Sequence, residues 1–353
     1  MQVSQSIRGA LFGLGAAVLF GLSAPLAKRL LTDMTPLMLA GLLYAGGGLG
    51  LSLFRLVVRR PESEAKLRLA DAKLLVPLIV SGGLIAPVLM LFGLSRLSAV
   101  SASLLLNLEG PLTILLALAV FKEHLGKREL LAAGIVLAGA AVLGFQAWEW
   151  RGDWLGALCI AAACGCWALD NHLSQRLSVK DPVAVVRLKT LGSGSVMLVL
   201  AVLMGHRLPS WGVVVQAMAI GVFSYGVSIL LDLYALRLLG AAREAAYFAT
   251  APFVGALAAV PLLDERLTAV DLGAGAAMAL GITLLLRERH RHSHAHDALE
   301  HEHVHDHTDG HHGHSHAVAM RGPHSHPHRH VALTHDHPHV PDLHHRHDHE
   351  PTP

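Results

Sequence analysis

The chain has 353 residues, of which 53% are hydrophobic and only 15% charged, with a mean hydropathy of +0.48 and a formal net charge of +2. Those values exclude an ordinary soluble globular domain and point to a protein immersed in lipid. No nucleic-acid partner is expected.

A helix needs about 20 apolar residues to cross the hydrocarbon core. Stretches of that kind recur at 9–31, 36–57, 74–95, 99–121, 130–147, 154–176, 183–204, 211–236, 241–263 and 270–286, which predicts ten membrane helices. The first stretch, preceded by Arg8, is too long for a secretory signal and has no clear cleavage site, so it reads as an uncleaved helix. Basic residues gather on one side of such a topology: 19 Lys and Arg fall in alternate loops and flanks, Lys189 among them, against six on the other. The richer side is expected to be cytoplasmic, placing both termini inside a bacterial inner membrane. Trp148, Trp150, Trp154 and Trp211 then fall at the outer interface. Cys159, Cys164 and Cys166 share the sixth span and read as small packing residues rather than a disulfide framework.

Polar groups inside the spans are costly and need a reason. Glu109 lies midway along the fourth span beside Gly110 and Pro111. Proline has no N–H, so Pro111 frees the carbonyl of Asn107, and Pro252 does the same to Phe248 in the ninth span. A carboxylate beside a freed carbonyl suits a cation, a proton or an ammonium group, and paired helix interruptions point to a transporter's site. Asp170, Asn171 and His172 form a polar step in the sixth span, read either as a pathway face or as a solvated helix end. Asp232, near the inner end of the eighth span, reads either as a pathway residue or as half of an interfacial ion pair, and Arg243–Glu244 as a helix-terminal pair or a gate. Tyr225, Tyr234 and Tyr247 serve as packing or cavity lining. Small residues at four-residue spacing, Gly46/Gly50 and Gly273/Ala277/Gly281, let helices approach closely, within the chain or across a homodimer.

The chain also repeats itself. AVFKEHLGKRELLAAGIVLAG at 119–139 and PLLDERLTAVDLGAGAAMALG at 261–281 align Glu123 with Glu265, Leu125 with Leu267 and Gly139 with Gly281 at an offset of 142. Pro111 aligns with Pro252 after a one-residue slip. Two units of five spans each must be inverted relative to one another, an architecture suited to alternating access. The expected fold is therefore an all-α polytopic membrane protein with an inverted 5+5 repeat, divided at 1–151, 152–286 and 287–353. The stretches LNLEGPLTILLALAVFKEHLGKREL, GAAREAAYFATAPFVGALAAVPLLDERLT and GLSAPLAKRL resemble the EamA-type permeases of the drug/metabolite transporter superfamily. That resemblance covers about residues 9–286. It implies a ten-helix permease around a central cavity that exports small metabolites or amino acids, with Glu123 and Glu265 as structural caps or hinges. Two features depart from the family pattern: the acid at Glu109, and the tail.

The tail, 287–353, holds 23 of the 26 histidines and six prolines, and it is expected to be disordered. His301, His303, His305, His307, His311, His312, His314, His316, His324, His326, His328 and His330 are the candidate metal ligands. Imidazole suits Zn, Ni, Cu and Co, so weak exchanging sites are expected, with Zn, Ni or Co as occupants; no cofactor is required. Excluding histidine, the tail carries a charge of −4 that full protonation would turn to +19, so pH sensing competes with metal handling, as does a passive extension.

The leading reading is a secondary transporter exporting a small metabolite or amino-acid-like solute. Its expected cavity residues are Asn107, Glu109, Pro111, Asp170, Asn171, Tyr247, Phe248 and Pro252. Its partners are the lipid bilayer and a small molecule or ion. The rival is a Zn, Ni or Co exporter fed by the tail; a third reading is a membrane-anchored metal chaperone. An enzyme is not expected, because no nucleophile–base pair or phosphate-binding glycine loop stands out.

Overall fold

The computed structural model describes residues 2–57, 66–121, 127–151, 154–177, 180–239, 244, 247–286 and four tail segments. Its body is helical. The first half holds α1 (Gln2–Gly21), α2 (Ser23–Leu30), α3 (Pro36–Val57), α4 (Ala72–Leu78), α5 (Ala86–Arg96), α6 (Ala99–Leu105), α7 (Glu109–Phe121) and α8 (Lys127–Arg151). The second holds α9 (Trp154–Leu177), α10 (Pro182–Leu203), α11 (Trp211–Gly221), α12 (Ser228–Leu239), α13 (Ala251–Leu263) and α14 (Ala269–Leu286). Among the described residues, seven helical stretches are long and apolar enough to cross a membrane: 7–30, 36–57, 69–96, 99–116, 154–174, 182–203 and 211–236. Shorter apolar helices at Leu130–Leu143, Ala251–Leu263 and Ala269–Leu284 fall where the fifth, ninth and tenth spans are expected.

Lipid explains both the helices and what they show outward. With no water to bond the backbone, each segment must satisfy its own N–H and C=O groups. Large apolar side chains then turn out freely; Leu11, Leu53 and Leu257 are each more than 60% exposed, which water would penalise. Helix ends are built from local chemistry. Ser98 caps α6 by accepting from the Ser101 N–H, and Asp181 caps α10 by accepting from Val183 and Ala184 with Pro182 in the first turn. Gly205 and Asp264, both with positive φ, end α10 and α13.

The repeat survives in the backbone. Shifting Glu109–Phe121 by the 142-residue offset gives the bounds of α13, Ala251–Leu263. The 3₁₀ turn Leu106–Leu108 precedes α7, as the turn at Ala249–Thr250 precedes α13. Pro111 and Pro252 therefore lie in the first turns of α7 and α13, each just after a turn that is not α-helical. A π-helical stretch at Ile79–Ile85 has its counterpart at Val222–Val227, again at that offset to within a residue. Glycine packing shows the symmetry too. A Cβ on Gly139 would meet Ala274 and Met278, and one on Gly281 would meet Ala132 and Val136, the positions the offset equates with those two. Such reciprocity is what a two-fold axis between α8 and α14 produces.

α3 and α10 form the central antiparallel pair: Gly41 faces Leu198, Ala45 faces Gly194, and Gly48 faces Leu191. Gly46 and Gly50 pack on Met218 and Val222 of the same chain, so this small-residue face is filled internally.

The tail departs from the expectation of a wholly disordered segment. β1 (His290–His296) pairs antiparallel with β4 (Leu333–His339), and β2 (Glu300–His305) with β3 (His324–Arg329). His-x-His alternation has the period of a strand, and in a two-stranded ribbon every strand is an edge, where Pro327 and Pro338 are tolerated.

Candidate functional site

The polar residues of the two halves meet in the bundle interior. Asp170, two-thirds of the way along α9, is buried and accepts two hydrogen bonds from Lys189 Nζ of α10, at 2.8 and 2.7 Å. Both side chains are less than 10% exposed. Next to Asp170, Asn171 Nδ2 donates to Glu109 Oε1 of α7 at 2.7 Å. His172 Nε2 lies 3.3 Å from the carbonyl oxygen of Thr113. Each member of the Asp170–Asn171–His172 step contacts a different group of the bundle, and two of them cross from the second half to the first; Asp170 and His172 are buried, whereas Asn171 is exposed.

Gly82, in the π-helical stretch of the first half, completes the junction. Its carbonyl accepts from Tyr44 Oη at 3.0 Å and from Trp167 Nε1 at 3.2 Å. A side chain on Gly82 would collide with the Asp170 carboxylate, and one on Gly83 with the Ser193 hydroxyl. Glycine is required at both places for the backbone to come this close. A π turn offsets one carbonyl from the regular ladder, which leaves the Gly82 oxygen free for two side-chain donors. Around it Tyr44, Tyr225, Phe20 and Trp167 form an aromatic wall, and Phe248 joins it at 5.4 Å from Phe20.

Of the residues singled out from the sequence, Glu109, Asp170 and Asn171 are brought together, and Phe248 reaches them through the aromatic wall. Asn107 is buried but turns away, donating to Leu104 O and lying 3.7 Å from the Met278 sulfur. Tyr247 packs on Gly13 of α1, and Pro111 and Pro252 are buried beside their helix breaks. Lys189, expected among the cytoplasmic flanking charges, instead lies buried two turns inside α10. Its only signal in the sequence is that Asp181 and Pro182 already mark the helix start. Asp232 lies within electrostatic reach of Glu244, Lys189 and Asp170.

Side-chain contacts also hold helix ends together. Glu265 accepts from the N–H groups of Ala99 and Val100 at 2.8 and 2.9 Å, which fixes the start of α6 from the opposite half. Lys28 Nζ donates to the Leu94 and Leu97 carbonyls, both at 2.6 Å, and Thr35 bonds His206 Nδ1 at 2.9 Å. The reading of Glu265 as a cap agrees with this geometry; Glu123 and Arg243 lie outside the described residues.

A family model for the EamA-like transporter family matches the chain twice, over residues 7–145 and 154–287. The chain belongs to that family. An uncharacterized transporter of Methanothermobacter thermautotrophicus is 31% identical over 272 residues, covering 71% of this chain and 78% of its own. A solved crystal structure is similar at a TM-score of 0.58 and 20% identity, covering 78% of this chain and 94% of that one, and shows the fold alone. The EamA assignment makes this a multi-pass membrane transporter of the drug/metabolite superfamily.

Of the twelve histidines taken as candidate ligands, His301, His303, His305, His324, His326 and His328 lie on the paired strands, where only the backbone is described. The other six lie outside the described residues. Among the described residues no group of three or more His, Cys, Asp or Glu is arranged to hold a metal ion.

Proposed function

We propose that this EamA transporter is a secondary exporter of a small metabolite or amino-acid-like solute, and that Glu109, Asn171, Asp170 and Lys189 form its solute site. The supporting observation is that this cluster is bonded across the two halves: Asn171 of the second donates to Glu109 of the first, and His172 lies on the carbonyl of Thr113. Rocking one half against the other would break those bonds, and a solute carrying donors and acceptors would replace them. Export is the direction that the resemblance to EamA-type permeases implies. The His-rich tail would bind Zn, Ni or Co on the cytoplasmic side, as an accessory to the permease.

The test compares culture media from cells making the intact protein, the Glu109→Gln variant or neither, at matched membrane levels. Untargeted mass spectrometry is expected to find a small polar solute enriched in the medium of the intact protein alone. Media that do not differ would refute export. Equal enrichment with Glu109→Gln would remove Glu109 from the site.

A further inference from the structure

We propose that each tail ribbon is a metal site, in which histidines paired across its two strands hold one divalent transition ion between them. This rests on the reading of the tail as a metal-binding accessory and adds the ligand set to it. The strand register brings those ligands together. β2 and β3 set His301 opposite His328, His303 opposite His326 and His305 opposite His324. β1 and β4 set His290 opposite His339, His292 opposite His337 and His294 opposite His335. A slip of one residue would move every histidine of one strand to the face away from its partners.

Positions two apart along a strand share a face, and directly opposite positions share it too. Each ribbon therefore carries three histidine pairs on one face, and the β1–β4 ribbon adds His296 opposite Leu333. The carboxylate residues of the strands, Glu300, Glu302 and Asp336, fall on the other face. The histidine face thus offers nitrogen ligands without oxygen ones, which suits Zn, Ni, Cu or Co and disfavours Mg and Ca. Opposite residues of an antiparallel pair have Cα atoms about 4.5–5.5 Å apart. Successive positions on one face are about 7 Å apart along the strand. Two neighbouring pairs consequently bring four histidines to one patch, the ligand number of a closed zinc site. Three pairs complete one such site and leave one pair over, which gives one ion to each ribbon. An ion ligated from both strands also holds them together, so binding and strand pairing are coupled, and the histidines of the two strands act as a unit.

The test uses the full-length protein in lipid nanodiscs, with free Zn²⁺ held low by a competing chelator and bound zinc counted per chain by mass spectrometry. The unaltered protein is expected to hold two ions more than a chain lacking Arg287–Pro353. Replacing His301, His303 and His305 of β2 by Ala should remove one ion, and replacing His324, His326 and His328 of β3 should also remove one. All six replacements together should still remove only one, because both sets empty the same site. The β2 set combined with His335→Ala, His337→Ala and His339→Ala of β4 should remove both. His311→Ala, His312→Ala and His314→Ala, which lie between β2 and β3 in the sequence, should remove neither. Losses from the β2 and β3 sets that add, or a loss from the His311, His312 and His314 set equal to theirs, would overturn the paired site and leave a tail that binds metal by composition alone. No zinc beyond that of the shortened chain would overturn the site and the accessory reading together. Neither result bears on export.

Discussion

Replacing Lys189 by Met tests the interior ion pair most directly. Lys189 Nζ gives hydrogen bonds to both oxygens of Asp170, at 2.8 and 2.7 Å, and the two side chains are 7% and 8% exposed. Removing one partner strands a buried charge, at a cost of about 3–5 kcal/mol, or roughly two to three and a half powers of ten in the folding equilibrium. Asp170→Asn strands the ammonium instead and should cost about as much. The double variant leaves no buried charge, and its amide fits beside Gly82, where a larger side chain would collide. Its cost should fall below the sum of the singles by about 3 kcal/mol. The assay is equilibrium unfolding in mixed micelles under rising denaturing detergent, followed through tryptophan fluorescence, with Trp167 bonded to the adjacent Gly82 carbonyl as the reporter. Additive single effects would refute the claim that the two charges are held by each other.

Three further outcomes follow from the packing and the tail. Glu265→Ala removes the acceptor for two N–H groups of α6 and should lower stability by about 1–2 kcal/mol, with a smaller loss for Glu265→Gln; an unchanged thermal midpoint would show that the cap is idle. Gly221→Ala drives a methyl group into the Leu43 carbonyl of α3 and should cost about 1–3 kcal/mol by the same unfolding assay. Gly212→Ala, with nothing within 4 Å, should change little, and equal effects at the two glycines would contradict the packing. Deleting Arg287–Pro353 should leave the body folded and inserted while removing Zn, Ni and Co binding, measured as metal retained by purified protein; loss of the body from the membrane would move the domain boundary.

The sequence alone determined the class of this protein, because lipid imposes a length and composition on every segment that crosses it. Helix starts were legible wherever local chemistry sets them, as at Asp181–Pro182. The 142-residue repeat was legible because symmetric halves must present similar residues at equivalent positions, and the backbone breaks before α7 and α13 keep that spacing. Glu109 was legible because an acid in an apolar run has no local explanation. Its partner was not, since Asn171 is 62 residues away and the bond forms only when α7 packs on α9. Lys189 looked like a flanking charge for the same reason: only the approach of α9 to α10 buries it on Asp170. The first π-helical stretch was also hidden, because its Gly82 and Gly83 matter only where Asp170 of α9 and Ser193 of α10 come against them. Tertiary structure alone decided the pairing of interior charges, because desolvation acts on whatever packing brings together and distance along the chain does not record it.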